Sequence, residues 1–434
     1  MKKLLIYVLS IMAILSITAC GGNQNSSNTS NSSSKDSEPV TIDIYQFKVE
    51  IAEAFEELAN EYMKENPNVT INIETVGGGA DYGASLRAKM ASGNEPTIFN
   101  VGGPQDVYDW KDKLVDLSDV PVVKEAFDGA TAGVTMDGKV YGIPFTQEGY
   151  GFIYNKALFT KAGIDPKTIT SFAKLEEAVK TLDSKKSELG IESVFALAGK
   201  ETWVTGLHFT NVALSPEFEN VFNAFNSKTI AFKYSEGMQK LFDLQVKYGK
   251  TPVNSVDYST QVEKLFSLQK VAIMQQGNWT MGAIKGIDEE LANNIGFLPM
   301  PIIGAKEDSI PVGIPMYWTV NKTKDEKTQK AAKDFLNWIY TSEKGKDYVI
   351  NKFGFIPPFK GYEAENLQPK DALAKDIMDY SKNGKTIQWV FMGYPSGWGM
   401  EKMGVDLQKY VDGKLTWNQV MENGKKSWEE ARKK

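Results

Sequence analysis

The sequence predicts an α/β fold in two lobes, each a doubly wound sheet flanked by helices. Three observations lead there. Between Val40 and Asn100, short strands alternate with amphipathic helices at the spacing of a parallel, doubly wound sheet. The folded part runs from Val40 to Lys434, about 395 residues, which suits two lobes better than one core. A stretch a third of the way in, Tyr141–Asn155, carries Gly142, Pro144, Gly149 and Gly151 among aromatics and the polar pair Gln147 and Glu148. It is neither an ordinary helix nor a central strand, and reads as a crossing between lobes or an irregular loop inside one large domain.

The chain opens as a secretion signal over residues 1–19, with Lys2 and Lys3 ahead of an apolar run from Leu4 to Ala19. The run is too short and too early for a spanning helix, and no later stretch holds eighteen apolar residues in a row. It ends Leu15-Ser-Ile-Thr-Ala-Cys20-Gly21, which resembles the bacterial lipobox, with Cys20 lipidated as the mature N-terminus. The alternative is a plain signal peptide that leaves an unpaired cysteine in the tail. A free thiol is an odd feature to keep in a secreted chain, and one lipidated cysteine anchors to a membrane without spanning it. Residues 20–38 are mostly Ser, Asn, Gly and Thr, too polar to offset the entropy of ordering, and predict a flexible tether. Cys20 is the only cysteine, so no internal disulfide forms. The formal charge is −6, and −8 once Lys2 and Lys3 leave with the signal. The acidic residues are spread along the chain, which argues against nucleic acid as a partner.

Val40–Tyr45 alternates apolar and polar residues as a strand does. A helix follows over 49–66, its apolar residues Ile51, Ala54, Phe55, Leu58, Ala59, Tyr62 and Met63 falling on one face before Pro67. Val69–Thr75 is a second strand, a helix passes through Leu86 and Met90, and Pro96–Asn100 is a third strand. Ligands of such sheets sit at the carboxyl ends of the strands, here the loops 46–50, 77–81 and 100–106. Farther on, helices are predicted over Ser171–Asp183, Glu236–Tyr248, Tyr258–Gln269 and Thr323–Tyr340. Strands are predicted over Val271–Met274, Ile295–Pro301 and Val312–Val320, and a second irregular joint at Phe353–Pro358. From Asp371 on the tail reads as helical apart from Thr386–Gly399.

Catalytic readings find little support. His208 is the only histidine, lies between Leu207 and Phe209, and has no HExxH, CxxC or calcium-loop spacing with it, so packing or one hydrogen bond is its expected role. Gly-Lys-Thr occurs at 249–251 and 384–386, but Leu244 and Asp379 stand where a P-loop needs its first glycine. Gly77–Gly79 lacks the dinucleotide spacing. With 55 acidic residues a glycosidase pair of carboxylates is open to any two of them, and no motif selects a pair. No metal, cofactor or catalytic residue is predicted.

What remains is a supply of groups suited to sugars. A pyranose offers hydroxyls at its rim and C–H patches on its faces, so its site needs amides or carboxylates and a flat aromatic platform. Trp203, Trp279, Trp318, Trp389 and Trp398 fall at turns or strand ends beside Gly, Pro, Asn or Gln, whereas Trp338, Trp417 and Trp428 sit within helices as packing residues. Each of the five is as well explained singly by burial. Tyr317, next to Trp318, and the amides Gln276 and Asn278, next to Trp279, join the candidates.

From Val40 on, the chain resembles the extracellular solute-binding proteins (family 1) that feed carbohydrate ABC importers. The runs that carry the resemblance are the lipobox, Gly138–Pro144, Tyr154–Gly163, Val271–Trp279, Gly296–Pro301 and the Phe335–Ile339 helix. The resemblance implies a periplasmic-binding-protein-like clamp of two α/β lobes joined by crossing hinge segments. On that pattern the first lobe is 40–146 plus 302–350 and the second 147–301 plus 351–434. By position it puts Lys48 and Glu50, with Gln105 and Asp106, on the first-lobe wall. It puts Glu148 at the hinge, where Gln147 and Glu148 would face the cleft floor, and Trp203, Trp279 and Trp398 among the second-lobe platforms. Lys48 to Glu50 after Gln46 is similar to members that bind raffinose-like or other α-linked oligosaccharides. The implied function is a lipid-anchored extracellular receptor, monomeric, that hands its sugar to the permease subunits of an ABC transporter. The competing readings are a secreted carbohydrate-active enzyme and a clamp for a non-sugar solute such as a polyamine, a metal complex or a phosphorylated polyol.

Overall fold

A computed structural model of the protein describes residues 38–77 and 81–433. The expected signal sequence, the lipidated Cys20 and the tether as far as residue 37 lie outside the described residues.

The first sheet begins as its sequence pattern dictates. β1 (Val40–Gln46) turns Val40, Ile42 and Ile44 to one face and Tyr45 to the other, and pairs in parallel with β2 (Val69–Thr75) and β3 (Ile98–Val101). Between them α1 (Ala52–Glu65) buries Phe55, Leu58, Ala59 and Tyr62 along a single stripe. A helix this short is marginal in water by itself. Each large apolar side chain it buries contributes about 1.5–3 kcal/mol, so packing rather than propensity holds it. α2 (Tyr82–Ala91) starts at Asp81, whose carboxylate accepts from the Ala84 N–H at 3.0 Å, and covers the opposite face with Tyr82, Leu86 and Met90.

Two later strands complete this sheet. Tyr317–Val320 runs antiparallel beside β3, and Ile143–Pro144 closes the edge, giving the order β2, β1, β3, 317–320, 143–144. The helix Glu326–Thr341 lays Ala332, Phe335, Leu336, Ile339 and Tyr340 on the α1 side.

The second sheet is organised about Glu148–Asn155, which is buried at all eight positions. Val271–Gly277 lies antiparallel on one side of it, followed by Ser193–Ala196 in parallel. Ile295–Leu298 and Ile310–Gly313 share its other side, and Thr386–Ile387 is the outermost strand. Tyr150, Phe152 and Tyr154 enter one core and Ile153 the other, the alternation that a strand covered on both faces requires.

The chain passes between the sheets three times. It leaves the first after Pro144 and enters the second at Glu148. The second passage corrects an expectation: Val312–Val320 is two strands, Ile310–Gly313 in the second sheet and Tyr317–Val320 in the first. Pro315 offers no N–H to a ladder, and the break there lets the chain change sheets. The passage therefore lies near residue 314 rather than 302. The third also comes later than residue 351, because Phe355, Phe359 and Tyr362 are buried in the first-lobe core and α-helix resumes on the second lobe only at Ala372. The strand expected over Val271–Met274 runs on through Gln275 to Gly277.

Candidate functional site

At the first crossing, a buried ion pair joins the lobes. Lys48 lies in the turn after β1, and Gln46 fixes that turn by accepting from the Lys48 N–H at 2.6 Å and donating to the Lys48 carbonyl at 3.0 Å. The Lys48 ammonium, 3% exposed, bonds the Glu148 carboxylate at the start of the long second-lobe strand and lies 3.5 Å from Glu50. Burial works to lower the Lys48 pKa, but the Glu148 and Glu50 carboxylates outweigh it and hold the ammonium above its ordinary range. Beside this pair, the Asn278 side-chain oxygen accepts from the Gly149 N–H at 3.1 Å.

Deeper in the second lobe, the rings gather around His208. Tyr150 stacks on it at 4.3 Å and 13°, and Trp203, Trp279, Trp389 and Phe391 surround it at 5.2, 5.3, 5.8 and 5.3 Å. Burial among these rings pulls His208 down to about 3, so it is a neutral imidazole at physiological pH. Trp203 and Trp279 are only partly buried. The Trp279 N–H donates to Gln276 Oε1 at 3.0 Å, and Gln276 in turn donates to Gln261 at 2.7 Å. The indole lies over Gly277, where a Cβ would come within 2.1 Å of the ring, and Trp389 lies over Gly313 in the same way at 2.6 Å. Both indoles thus lie on bare backbone, Trp279 partly exposed and Trp389 buried in the core. Burial and then the Glu50 carboxylate raise the Tyr258 hydroxyl well above its usual range.

The first lobe contributes a cavity of about 520 Å³ lined by Tyr82, Arg87, Asn100, Asp106, Trp110 and Met316 among others, within the ~300–1,000 Å³ range of small-molecule sites. Asn100 is 1% exposed, and neither its amide nitrogen nor its oxygen has a protein partner. A buried amide left this way costs roughly 1–3 kcal/mol, which a hydroxylated ligand would recover. Desolvation raises Asp106 to about 6, against the Gly102 N–H that it accepts at 2.7 Å.

The expected residues divide into three groups. Lys48, Glu50, Glu148, Asn278, Trp203, Trp279 and Trp389 cluster around the crossing and the ring wall. Gln147 is a crossing residue whose N–H bonds the Ile356 carbonyl at 2.8 Å, and Gln105 and Asp106 lie on α3 (Pro104–Trp110). The others are corrections. Trp318, 1% exposed, stacks on Phe145 at 4.1 Å and donates to the Tyr340 hydroxyl, so it is first-lobe core. Trp398, 1% exposed, donates to the Gly424 carbonyl and packs edge-on against Trp428. Tyr317 is buried under Gly142, and Gln276 is spent on holding Trp279. Sequence reasoning missed Tyr150, Asn100 and the central place of His208. The last had one signal, a single histidine inside the aromatic-rich segment 203–225. Among the described residues there is no group of three or more His, Cys, Asp or Glu able to hold a metal ion, and no helix long and apolar enough to cross a membrane.

A family model described as bacterial extracellular solute-binding protein matches residues 57–378. The multiple sugar-binding protein of Streptococcus mutans is 26% identical over 354 residues, covering 78% of this chain and 80% of its own length. The melibiose/raffinose/stachyose-binding protein of Bacillus subtilis is 24% identical over 319 residues, 70% of this chain and 71% of its own. A solved chitin oligosaccharide binding protein shares the fold, with a TM-score of 0.77 and 23% identity over 91% of this chain and 100% of its own. The matched family and relatives are binding proteins, not enzymes.

Proposed function

The chain belongs to the bacterial extracellular solute-binding proteins, and on that premise we propose that it is a lipid-anchored receptor, held through Cys20, that captures an oligosaccharide between its lobes for an ABC permease. The observation that carries the sugar reading is the ring wall about His208, where Trp203 and Trp279 are partly exposed and Trp279 is seated on Gly277. Flat apolar faces held rigidly suit the C–H face of a pyranose, and the carboxylates and amides nearby suit its rim. On the facing lobe the unpartnered Asn100 amide and Asp106 offer one donor and two acceptors for vicinal hydroxyls. The relatives' names point the same way, toward raffinose, stachyose and other short sugars.

The clamp works by differential affinity. A sugar that touches the ring wall and the first-lobe wall at once binds the closed arrangement better than the open one and shifts the population toward it. The closed form is the one that the permease reads. The platforms and neutral imidazole disfavour a polyamine or phosphorylated solute, which would call for a strongly charged lining.

A fluorescence titration against raffinose, stachyose, maltotriose and xylotriose tests this, because Trp203 and Trp279 report from the wall itself. Saturable change with at least one of these sugars, and no cleavage products, is the expected result. Flat titrations with all four would overturn the sugar reading.

A further inference from the structure

On the side of the cleft formed by α3, four contacts bind the lobes to each other. The anchor is Arg432, at the end of the helix Trp417–Ala431. Its guanidinium is held within its own lobe by the carbonyls of Ala224 (3.2 Å) and Gly393 (2.5 Å) and lies over the rings of Phe225 and Trp428 at 5.5 and 5.4 Å. Its remaining terminal nitrogen, Nη1, crosses to the first lobe and donates to Gln105 Oε1 at 2.6 Å. Gln105 passes the bond on to Asp109 Oδ1 at 2.8 Å, and the other Asp109 oxygen accepts from Ser396 of the second lobe. Alongside, the Tyr108 ring, 63% exposed, meets Phe225 at 6.0 Å, and Met392 lies against Gly102 and Gly103.

We propose that Arg432, through Gln105 and the Asp109–Ser396 bond, is a closure latch that biases the two lobes toward the closed arrangement before any ligand arrives. The physical case is preorganisation. The cation is already fixed by two carbonyls and two rings, so bonding Gln105 orders only one further side chain, and the loss on closing is small. Gln105 is oriented by Asp109, so the lobes meet through a closed circuit of bonds rather than one exposed pair, whose worth would be slight. Each contact joins a residue of α3 or of the loop just before it to one carried by 221–225, 392–396 or 432. When the lobes part, all of them break together. A latch of this kind sets how much of a ligand's binding free energy is consumed in closing the clamp.

The test uses no sugar, so it stands or falls separately from the sugar reading. The full chain with Cys20→Ser carries spin labels at Glu57→Cys and Lys180→Cys, both exposed and one on each lobe. Distances between the labels are measured without ligand. The otherwise unaltered labelled chain is expected to show a measurable population at the short separation of the latched form beside a longer, open one. Arg432→Ala and Gln105→Ala are each expected to move the population to longer separations, and the double variant no farther than either single one. Gln105→Ala leaves every second-lobe contact of Arg432 in place, so it reads the latch even where Arg432→Ala unsettles its own lobe. Unchanged separations in Gln105→Ala would overturn the proposal.

Discussion

The indole of Trp279 lies across the α-carbon of Gly277, so close that a methyl group there would sit 2.1 Å from Cζ3. Strand and platform are therefore one object, since Val271–Gly277 ends in the residue that seats the ring. Gly277 has an extended backbone (φ −120°) that alanine tolerates, so a substitution there acts through the ring and not through backbone strain.

Gly277→Ala is expected to lift Trp279 off its seat while leaving the fold intact. Oligosaccharide affinity should fall about tenfold, roughly 1.4 kcal/mol, and the indole emission should shift to the red as the ring meets water. Titration with raffinose and the emission spectrum of the variant check this. An unchanged spectrum and affinity would show that the seat does not position the platform.

Lys48→Met should destabilise the protein by about 3–5 kcal/mol, because it leaves the Glu148 carboxylate buried without its cation. The double variant Lys48→Met/Glu148→Gln should regain most of that loss, since no buried charge remains. Urea unfolding midpoints of the three chains decide the matter. Equal loss in the single and double variants would mean that the pair contributes by packing alone.

Much of this architecture was legible in the sequence because it is local. The alternation of Val40–Tyr45 and the stripe Phe55, Leu58, Tyr62 name a strand and a helix without reference to the rest of the chain. What was not legible depends on distant partners. Trp398 stands between glycines much as Trp279 follows Gly277 and Asn278, and Trp318 lies inside a predicted strand, where nothing local says which way its ring turns. Only the tertiary acceptors, Tyr340 for Trp318 and Gly424 for Trp398, turn these two inward. Val312–Val320 reads as one strand because its two halves have equal strand character, and their separate sheets are chosen by pairings with residues more than a hundred positions away. Asn100 was marked only by its place at the carboxyl end of the third strand, and Arg87 and Arg432 belong to no local pattern.

His208 should make the fold acid-sensitive. Burial depresses its pKa from 6.5 to about 3, so the unfolded chain takes up the proton first as pH falls. The stability it confers is present above pH 6.5 and is lost as pH falls from there toward 3, by up to about 1.4 kcal/mol per unit. His208→Phe keeps a ring in the stack and should flatten that part of the pH profile. Thermal unfolding from pH 7 to pH 4.5 checks it, and parallel profiles for the two chains would refute the assignment.

Asp106 has the opposite sign. Desolvation raises its pKa from 3.8 to about 6, so the folded state holds the proton more tightly, and the stability from this group is present below pH 3.8 and lost as pH rises through 6. Asp106→Asn retains an acceptor for the Gly102 N–H without the charge. It should melt above wild type at pH 7, by an amount on the order of 1 kcal/mol or less because the half-buried carboxyl keeps some solvent. At pH 4 the difference should shrink. A variant less stable than wild type at pH 7 would contradict this reading.

The central claim is that an oligosaccharide stacks on the second-lobe ring wall, and calorimetric titration of raffinose and stachyose into wild type, Trp279→Ala and Trp318→Phe tests it most directly. The predicted result is saturable binding by the wild type to at least one of the two sugars, at least tenfold weaker binding by Trp279→Ala, a change of about 1.4 kcal/mol or more, and near-wild-type affinity in Trp318→Phe, whose ring is first-lobe core. Equal affinity in wild type and Trp279→Ala, or a greater loss in Trp318→Phe than in Trp279→Ala, would contradict it.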